Sequence, residues 1–440
     1  MKKTYLLWAV LLLSSLLPLL VFAQSPPAYA LENVTIHQSD GSVIESGTIV
    51  WRDGVIEAVG RNAEIPFDAF SVIDGGDSLH VYPGFIDGLG TWGSPDLPSR
   101  PEQVDDPGNP GYERAGIQPE RSGGELLDAS GIKITDVMKA GITTANLGLK
   151  GYMLAGQPDL YFLNGEETTD YLFRESTGYQ FAFQGAAGGW SSRAYPSTTM
   201  GVMAQFRQLM YDAEALQDHI QYFADANGNI QAPKRDKVLE SLFPVLNGEA
   251  KLFANVDSPE DFERLMILND EFGLDIIIVS GKSMNYKASE LEELGIPVLA
   301  SIEFPEKPKW MKDDEEDSEE ESISSEEQSY RERQEKAYNS AIKNIKTLLD
   351  EDVRVGFASA GLNADKLLES LRTLKEEGDL SDEEILQILT VNTAEILESS
   401  ETLGQLESGF NASFAVFDSP FLDEKAKVKM VISNGEIHEF

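Results

Sequence analysis

Hydrophobic and polar positions alternate at the two ends of this chain and give way to continuous apolar blocks in its middle, and the two patterns predict different structures. Near the N-terminus, the stretches Ala30 to His37, Gly47 to Gly60 and Ser71 to Gly84 carry the β-branched alternation of short strands with one buried face. Asp53-Gly54 between two such runs predicts a tight hairpin turn. The far C-terminus has the same character, with strand-like runs at Ser413 to Phe417 and Lys427 to Ile432 and a second turn at Asn434-Gly435. Neither end alone has enough apolar surface to close a core, so the reading is one small β-sandwich composed of residues 24–82 and 402–440.

Between the ends, residues 83–401 alternate buried-strand and amphipathic-helix signals. Ser258-Pro259-Glu260-Asp261 supplies an N-cap, a first-turn proline and first-turn acids for a helix with Phe262, Leu265, Met266 and Phe272 on one side, stopped by Gly273. Leu274 to Gly281 then reads as a fully buried strand, and Ile296 to Ile302 as the next. Asn363 is the expected cap of a helix bearing Leu367, Leu368, Leu371 and Leu374 and closed by Gly378, and Ser381 to Glu384 has capping-box spacing. Strands with no polar face, separated by helices, predict a parallel sheet covered on both sides. At this length the fold class is α/β, a (β/α)8 TIM-type barrel beside the terminal sandwich.

The first residues alter the picture of where the protein works. Lys2 and Lys3, an apolar run from Tyr5 to about Val21 and the exit Val21-Phe22-Ala23 predict a signal peptide over residues 1–23 cleaved near Ala23/Gln24, rather than a retained anchor. The expected location is periplasmic or secreted. Removing two lysines and no acid takes the formal charge from −40 to −42, a surface that repels nucleic acid and anionic lipid. The chain has no cysteine, which excludes disulfides, thiolate metal ligands and lipid attachment at a cleavage-site cysteine. Asp313 to Glu327 holds ten acids in fifteen residues and predicts a solvated low-complexity loop over 313–328, with no glycine-punctuated frame for calcium.

The run Val81 to Gly93, VYPGFIDGLGTWG, resembles the first barrel strand of the amidohydrolase superfamily, Pro-Gly-x-Ile-Asp-x-His-x-His. Three further stretches in the right order resemble an imidazolonepropionase-like, exported branch: Gly141 to Leu163, Pro196 to Leu216, and Leu389 to Asp418. The resemblance implies a metal-dependent hydrolase of carbon-nitrogen bonds in cyclic amides or small peptides, with zinc or another divalent metal lowering the pKa of a bound water. It also implies where the ligands belong, and there this sequence departs from the pattern. Leu89 and Thr91 stand at the first-strand histidines, Phe253 (or, one residue on, Ala254) at the fifth-strand histidine, Ser280 at the sixth-strand histidine and Ala360 at the final aspartate. Phe162 is the candidate for the bridging-ligand position.

The residue inventory points the same way. Only four histidines are present, His37 and His438 in the terminal sandwich, His80 just before the barrel and His219 after a helical run, and no two are spaced in sequence to share an ion. Polar groups expected around the barrel mouth are Asp87, Lys150, Gln157, Arg193 and Lys282, with Trp92, Trp190 and Tyr195 as packing or mouth-lining aromatics. For Asp87 the structural reading, fixing the turn after Gly84 through loop amides, is favoured over a relic site group. A Ser280–Lys282 nucleophile pair lacks any oxyanion hole, and Asn411-Ala412-Ser413 matches a glycan pattern incidentally. The sequence therefore predicts no bound cofactor or metal and a non-catalytic role as a small-molecule binder or as the partner of an active homologue or of a second copy. The competing expectation is a working carbon-nitrogen hydrolase with an unusual or metal-free site.

Overall fold

The computed structural model describes residues 26–98, 103–128, 134–186, 194–226, 230–312, 324–360 and 362–440. The segment read as a signal peptide, Arg193 and Trp190 lie outside these residues. Among the described residues no helix is long and apolar enough to cross a membrane.

Strands β1 (Ala28–His37), β2 (Val43–Arg52), β3 (Val55–Gly60), β4 (Ala69–Asp74) and β5 (His80–Pro83) build the N-terminal part of an eight-stranded sheet. They lead into β6 (Phe85–Gly90), β7 (Ile142–Leu147), β8 (Asp159–Phe162) and β9 (Leu172–Arg174), a four-stranded sheet. Next come β10 (Tyr179–Ala182), β11 (Lys251–Val256), β12 (Asp275–Ser280), β13 (Val298–Ala300) and β14 (Val355–Phe357), a five-stranded sheet that is parallel throughout. Finally β15 (Phe414–Phe417), β16 (Val428–Ser433) and β17 (Glu436–Glu439) return to the first sheet.

The two chain ends are joined at β5, which pairs parallel with β1 and antiparallel with β15 in the register Phe414↔Pro83 to Phe417↔His80. Leu31, Ile36, Ile49, Trp51, Val81, Phe414, Val416 and Ile432 supply a shared core. Both expected turns form, with positive φ at Asp53, Gly54, Asn434 and Gly435. They also touch: a Cβ on Gly435 would stand 2.9 Å from the Gly54 backbone, so the turn from each end needs its glycine for close approach as well as for φ. The expected sandwich is revised in one respect, because the strands form one continuous hydrogen-bonded sheet. Bulges in β1, around Asn33 with φ 57°, let that strand pair β4 with one half of its length and β5 with the other.

The parallel expectation fails at β8 and β9, which run antiparallel to their neighbours. Residues 148–158 between β7 and β8 contain no helix, and a parallel return requires a crossover long enough for one. In place of the single closed barrel sheet expected, the four- and five-stranded sheets are separate, and they meet through isolated backbone bonds, such as Ala360 N to Leu89 O at 3.3 Å, together with side chains. At one seam Gln180 Oε1 accepts from Leu149 N at 2.8 Å while its Nε2 donates to Leu149 O at 3.1 Å. At the other, Asp87 links the end of β6 to the segment after β14. Side chains alternate faithfully: Ile86, Phe162, Phe253, Ile277, Val279, Leu299 and Ala358 form the inner layer. Leu252, Ala254, Val256, Ile276 and Ile278 face outward onto the helices.

Several helix boundaries follow their caps. Ser258 Oγ accepts from Asp261 N at 3.2 Å, and Gly273 ends that helix with φ 64°. Ser381 and Glu384 make the reciprocal capping box. Asn363 does not cap with its side chain, because the chain first enters a single 3-10 turn, Ala364–Lys366, before the helix Leu367–Glu376. The acidic stretch is also shorter than expected at its C-terminal end. Ser324 Oγ accepts from Glu327 N at 3.1 Å and starts the helix Ser325–Ile342, where Glu326 and Glu327 sit favourably at the positive end of the dipole; residues 313–323 lie outside the described set.

Candidate functional site at the strand ends

A cavity of about 480 Å³ opens at the C-terminal ends of the inner strands. Four of the six positions where the resemblance places metal ligands or the proton acceptor, Leu89, Thr91, Phe253 and Ala360, converge on it; Phe162 and Ser280 do not. The β11–β12 register pairs Phe253 with Ile277 and Asn255 with Val279, so the odd-numbered residues of β12 point inward and Ser280 shares the outward parity of Ile278. Val279 takes the expected place of Ser280, and Phe253 rather than Ala254 is the inward residue on β11.

Asn255, one inward step beyond Phe253, lines the cavity and was missed by the motif comparison. Lys251, Phe253 and Asn255 share one parity on β11; Lys251 is held at the far end of the strand by Asp275 and Glu398, so the signal was a polar residue in inward register at the C-terminal end, two positions beyond the buried Phe253. Gln180 and Gln184 at and just beyond β10 add two more carboxamides to the wall.

The predicted polar residues separate into distinct groups. Lys150 reaches the cavity rim and pairs with Asp96 at 2.7 Å. Gln157 is elsewhere, donating to Pro119 O at 2.8 Å and accepting from Ser176 Oγ at 2.6 Å beside a surface hollow with Glu120 and Arg235. Lys282 pairs with Glu303 at 2.7 Å, outside the cavity lining, which removes the Ser280–Lys282 pair as a nucleophile. Phe162 is a core residue, packed edge-on against Phe173 at 5.2 Å. Trp92 packs against the main core, and Tyr195 donates to Gly201 O at 3.0 Å.

Asp87 is fully buried beneath the cavity floor, 0% exposed. Its Oδ1 accepts from Leu89 N at 3.2 Å and from Ser359 N at 2.8 Å, and its Oδ2 accepts from Ser359 Oγ at 2.6 Å. It thus fastens two strand ends, which refines the structural reading: the amides are those of Leu89 and Ser359, remote from the turn after Gly84. Burial pushes its carboxyl up to about 6, against the opposing effect of these hydrogen bonds. The flanking glycines make room, since a Cβ on Gly90 would lie 2.4 Å from Asp87 Oδ2 and one on Gly88 2.7 Å from Phe357 O.

Backbone strain sits at two of the ligand positions. Ser280 and Ala360 adopt left-handed φ values of 73° and 45°, unfavourable for residues with a Cβ. Ala360→Gly is expected to raise stability by about 0.5–1 kcal/mol, read as a higher denaturant midpoint at unchanged slope; a lower midpoint would contradict the assignment of strain.

The donors around the cavity do not suit the divalent metal that the family pattern implies. Zinc takes imidazole, thiolate or carboxylate at fixed spacing. The cavity offers a single carboxylate, Asp96, whose side chain is 93% exposed and already ion-paired. Among the described residues no group of three His, Cys, Asp or Glu side chains is placed to hold an ion. The histidines do hold a surprise. Parallel pairing of β1 with β5 brings His37 Nε2 within 2.9 Å of His80 Nδ1, so two imidazoles are adjacent although far apart in sequence. Both stand in the terminal sheet, with His37 stacked on Tyr82 at 4.3 Å. His219 contacts Gln231 O at 3.1 Å and His438 belongs to β17, each remote from the cavity.

The class of protein follows from this arrangement: an α/β fold with an inner strand layer, an outer helical layer and a cavity at the strand ends. Residues 296–438 match the profile of the Amidohydrolase family. An amidohydrolase structure from Thermotoga maritima superposes with a TM-score of 0.74 at 18% identity, covering 94% of this chain and 100% of that one. A Xaa-Pro dipeptidase with bound methionine gives 0.53 at 15% identity, over 94% of this chain and 100% of the other. A mutant atrazine chlorohydrolase from Arthrobacter aurescens, complexed with zinc and atraton, gives 0.50 at 15%, over 93% and 94%. No curated protein sequence matches the chain. The chain thus matches the amidohydrolase profile over its C-terminal part and shares the fold of these structures over nearly all of its length.

Proposed function

We propose that this protein is an exported, non-catalytic amidohydrolase relative that uses its (β/α)8-type barrel to bind a small molecule in the cavity at the strand ends. The observation that carries this reading is the convergence of Leu89, Thr91, Phe253 and Ala360 on one cavity. The positions that would hold a metal centre still meet in space, while their side chains are aliphatic, hydroxyl and aromatic. A missing ligand can be replaced by a neighbour, but here the neighbours are Val279, Asn255 and Gln180, none of them a customary zinc donor. Of the two roles open to such a barrel, ligand binding and pairing with an active homologue or second copy, the cavity favours the first. Its volume lies within the range of small-molecule sites.

Purified protein should show no turnover of a prolyl dipeptide or a cyclic imide above the uncatalysed rate, with or without added zinc, cobalt or manganese. Metal-stimulated turnover that disappears in Phe253→Ala would overturn the proposal.

A further inference from the structure

We infer that the ligand of this cavity is an uncharged molecule with an apolar end and one paired donor–acceptor group of the carboxamide kind, an inference that rests on the proposed binding role. The floor is apolar, made by Leu89, Phe253, Val279 and Leu149. Above it the polar groups are neutral. Gln180 spends its amide on Leu149, and Lys150 and Asp96 neutralise each other at the rim. Gln184 stands exposed on the wall just beyond β10, whereas Asn255 adjoins the apolar floor: it is exposed to the cavity mouth at the end of β11, two residues from Phe253 and in register with Val279, and its carboxamide offers a donor and an acceptor side by side.

Charge decides the class. A carboxylate or ammonium entering the cavity would lose its hydration and find no unpaired counter-charge among the described lining residues, a cost that a neutral group of the same size avoids. This neutrality is local, in a chain whose overall formal charge is −40. A carboxamide, by contrast, exchanges its bonds to water for two bonds to Asn255 while its apolar end covers Phe253 and Val279. The site should therefore reject free amino acids and dipeptides, which carry charge at both ends.

Three probes of nearly one shape test this: N-acetyl-leucinamide, which is neutral, N-acetyl-leucine, an anion, and leucinamide, a cation. Thermal unfolding of the whole protein is followed with each at increasing millimolar concentration. The neutral probe is expected to raise Tm in a saturable way by about 2 °C, with little or no shift from either ion. Asn255→Leu should abolish the shift without lowering the unliganded Tm, as expected for an exposed residue. Asp96→Asn, which frees Lys150, should create a shift with the anion. A larger shift from the anion or cation in the unmodified protein would overturn the ligand class while leaving the cavity as a binding site. No shift from any of the three, in the unmodified protein and in Asp96→Asn alike, would overturn both.

Discussion

Asp87→Ala is expected to lower the unfolding free energy by about 2–4 kcal/mol, whereas Asp87→Asn is expected to raise it by about 1–2 kcal/mol at neutral pH. The two variants differ in what they leave behind. Alanine strips the acceptor from three buried donors, Leu89 N, Ser359 N and Ser359 Oγ, and opens the seam between β6 and the segment following β14. Asparagine keeps an oxygen for the two amides, and its NH2 can donate to the Ser359 hydroxyl, which turns from donor to acceptor. It also removes a charge whose burial is unfavourable enough to push the carboxyl up to about 6. Denaturant unfolding of the two variants and the parent checks this. Equal destabilisation by both would mean that the negative charge itself holds the seam.

The second large effect is a pair of opposed pH dependences. Asp87 holds its proton more tightly in the folded chain, up to about 6 against an ordinary value of 3.8. The native state therefore binds more protons than the unfolded one between those values, and this contribution to stability falls as pH rises through that window. The full shift is worth about 3 kcal/mol. His37 acts in the opposite sense. Burial first, and its neighbour His80 second, lower it from 6.5 to about 4, while Asp382 opposes the shift. The unfolded state then binds more protons between about 4 and 6.5, so this contribution rises with pH and is lost on acidification. His80 is lowered as well, mainly by burial, against the pull of Asp423. Because His37 is partly exposed, about 1–2 kcal/mol is the appropriate size after screening.

In the parent protein the two slopes partly cancel. The stability gain of Asp87→Asn over the parent should thus be present at pH 7 and vanish by about pH 4, while His37→Gln should gain relative to the parent on acidification from pH 7 to pH 4. Unfolding free energies measured at pH 4, 5, 6 and 7 for parent and variants give both differences. Parallel pH profiles for all three proteins would contradict the assignment of these groups.

Much of the fold was legible because its signals are local. Asp53-Gly54 and Asn434-Gly435 require positive φ, Ser258 and Ser381 cap through atoms three residues away, and each of these forms as its sequence specifies. What escaped the sequence depends on pairing between distant segments. The contact of His37 with His80 follows from β1 lying beside β5, which no spacing along the chain reveals. The antiparallel course of β8 turns on whether residues 148–158 hold a helix, and their glycines and short apolar runs leave that open from sequence alone. At the candidate site, Leu89, Thr91, Phe253 and Ala360, which line the cavity, could be placed from sequence because the frame around them is strong. The step from Ser280 to Val279 was missed because parity on a continuously apolar strand carries no amphipathic mark, and a shift of one residue reverses every side chain. Asn255 carries no mark in the family pattern, which specifies a histidine rather than an amide on that strand.

The central claim is that the converging strand ends can no longer grip an ion. Elemental analysis of the purified protein, after incubation with zinc and removal of unbound metal, tests it most directly. The account predicts well below one equivalent of transition metal per chain, and one or two equivalents retained per chain would contradict it.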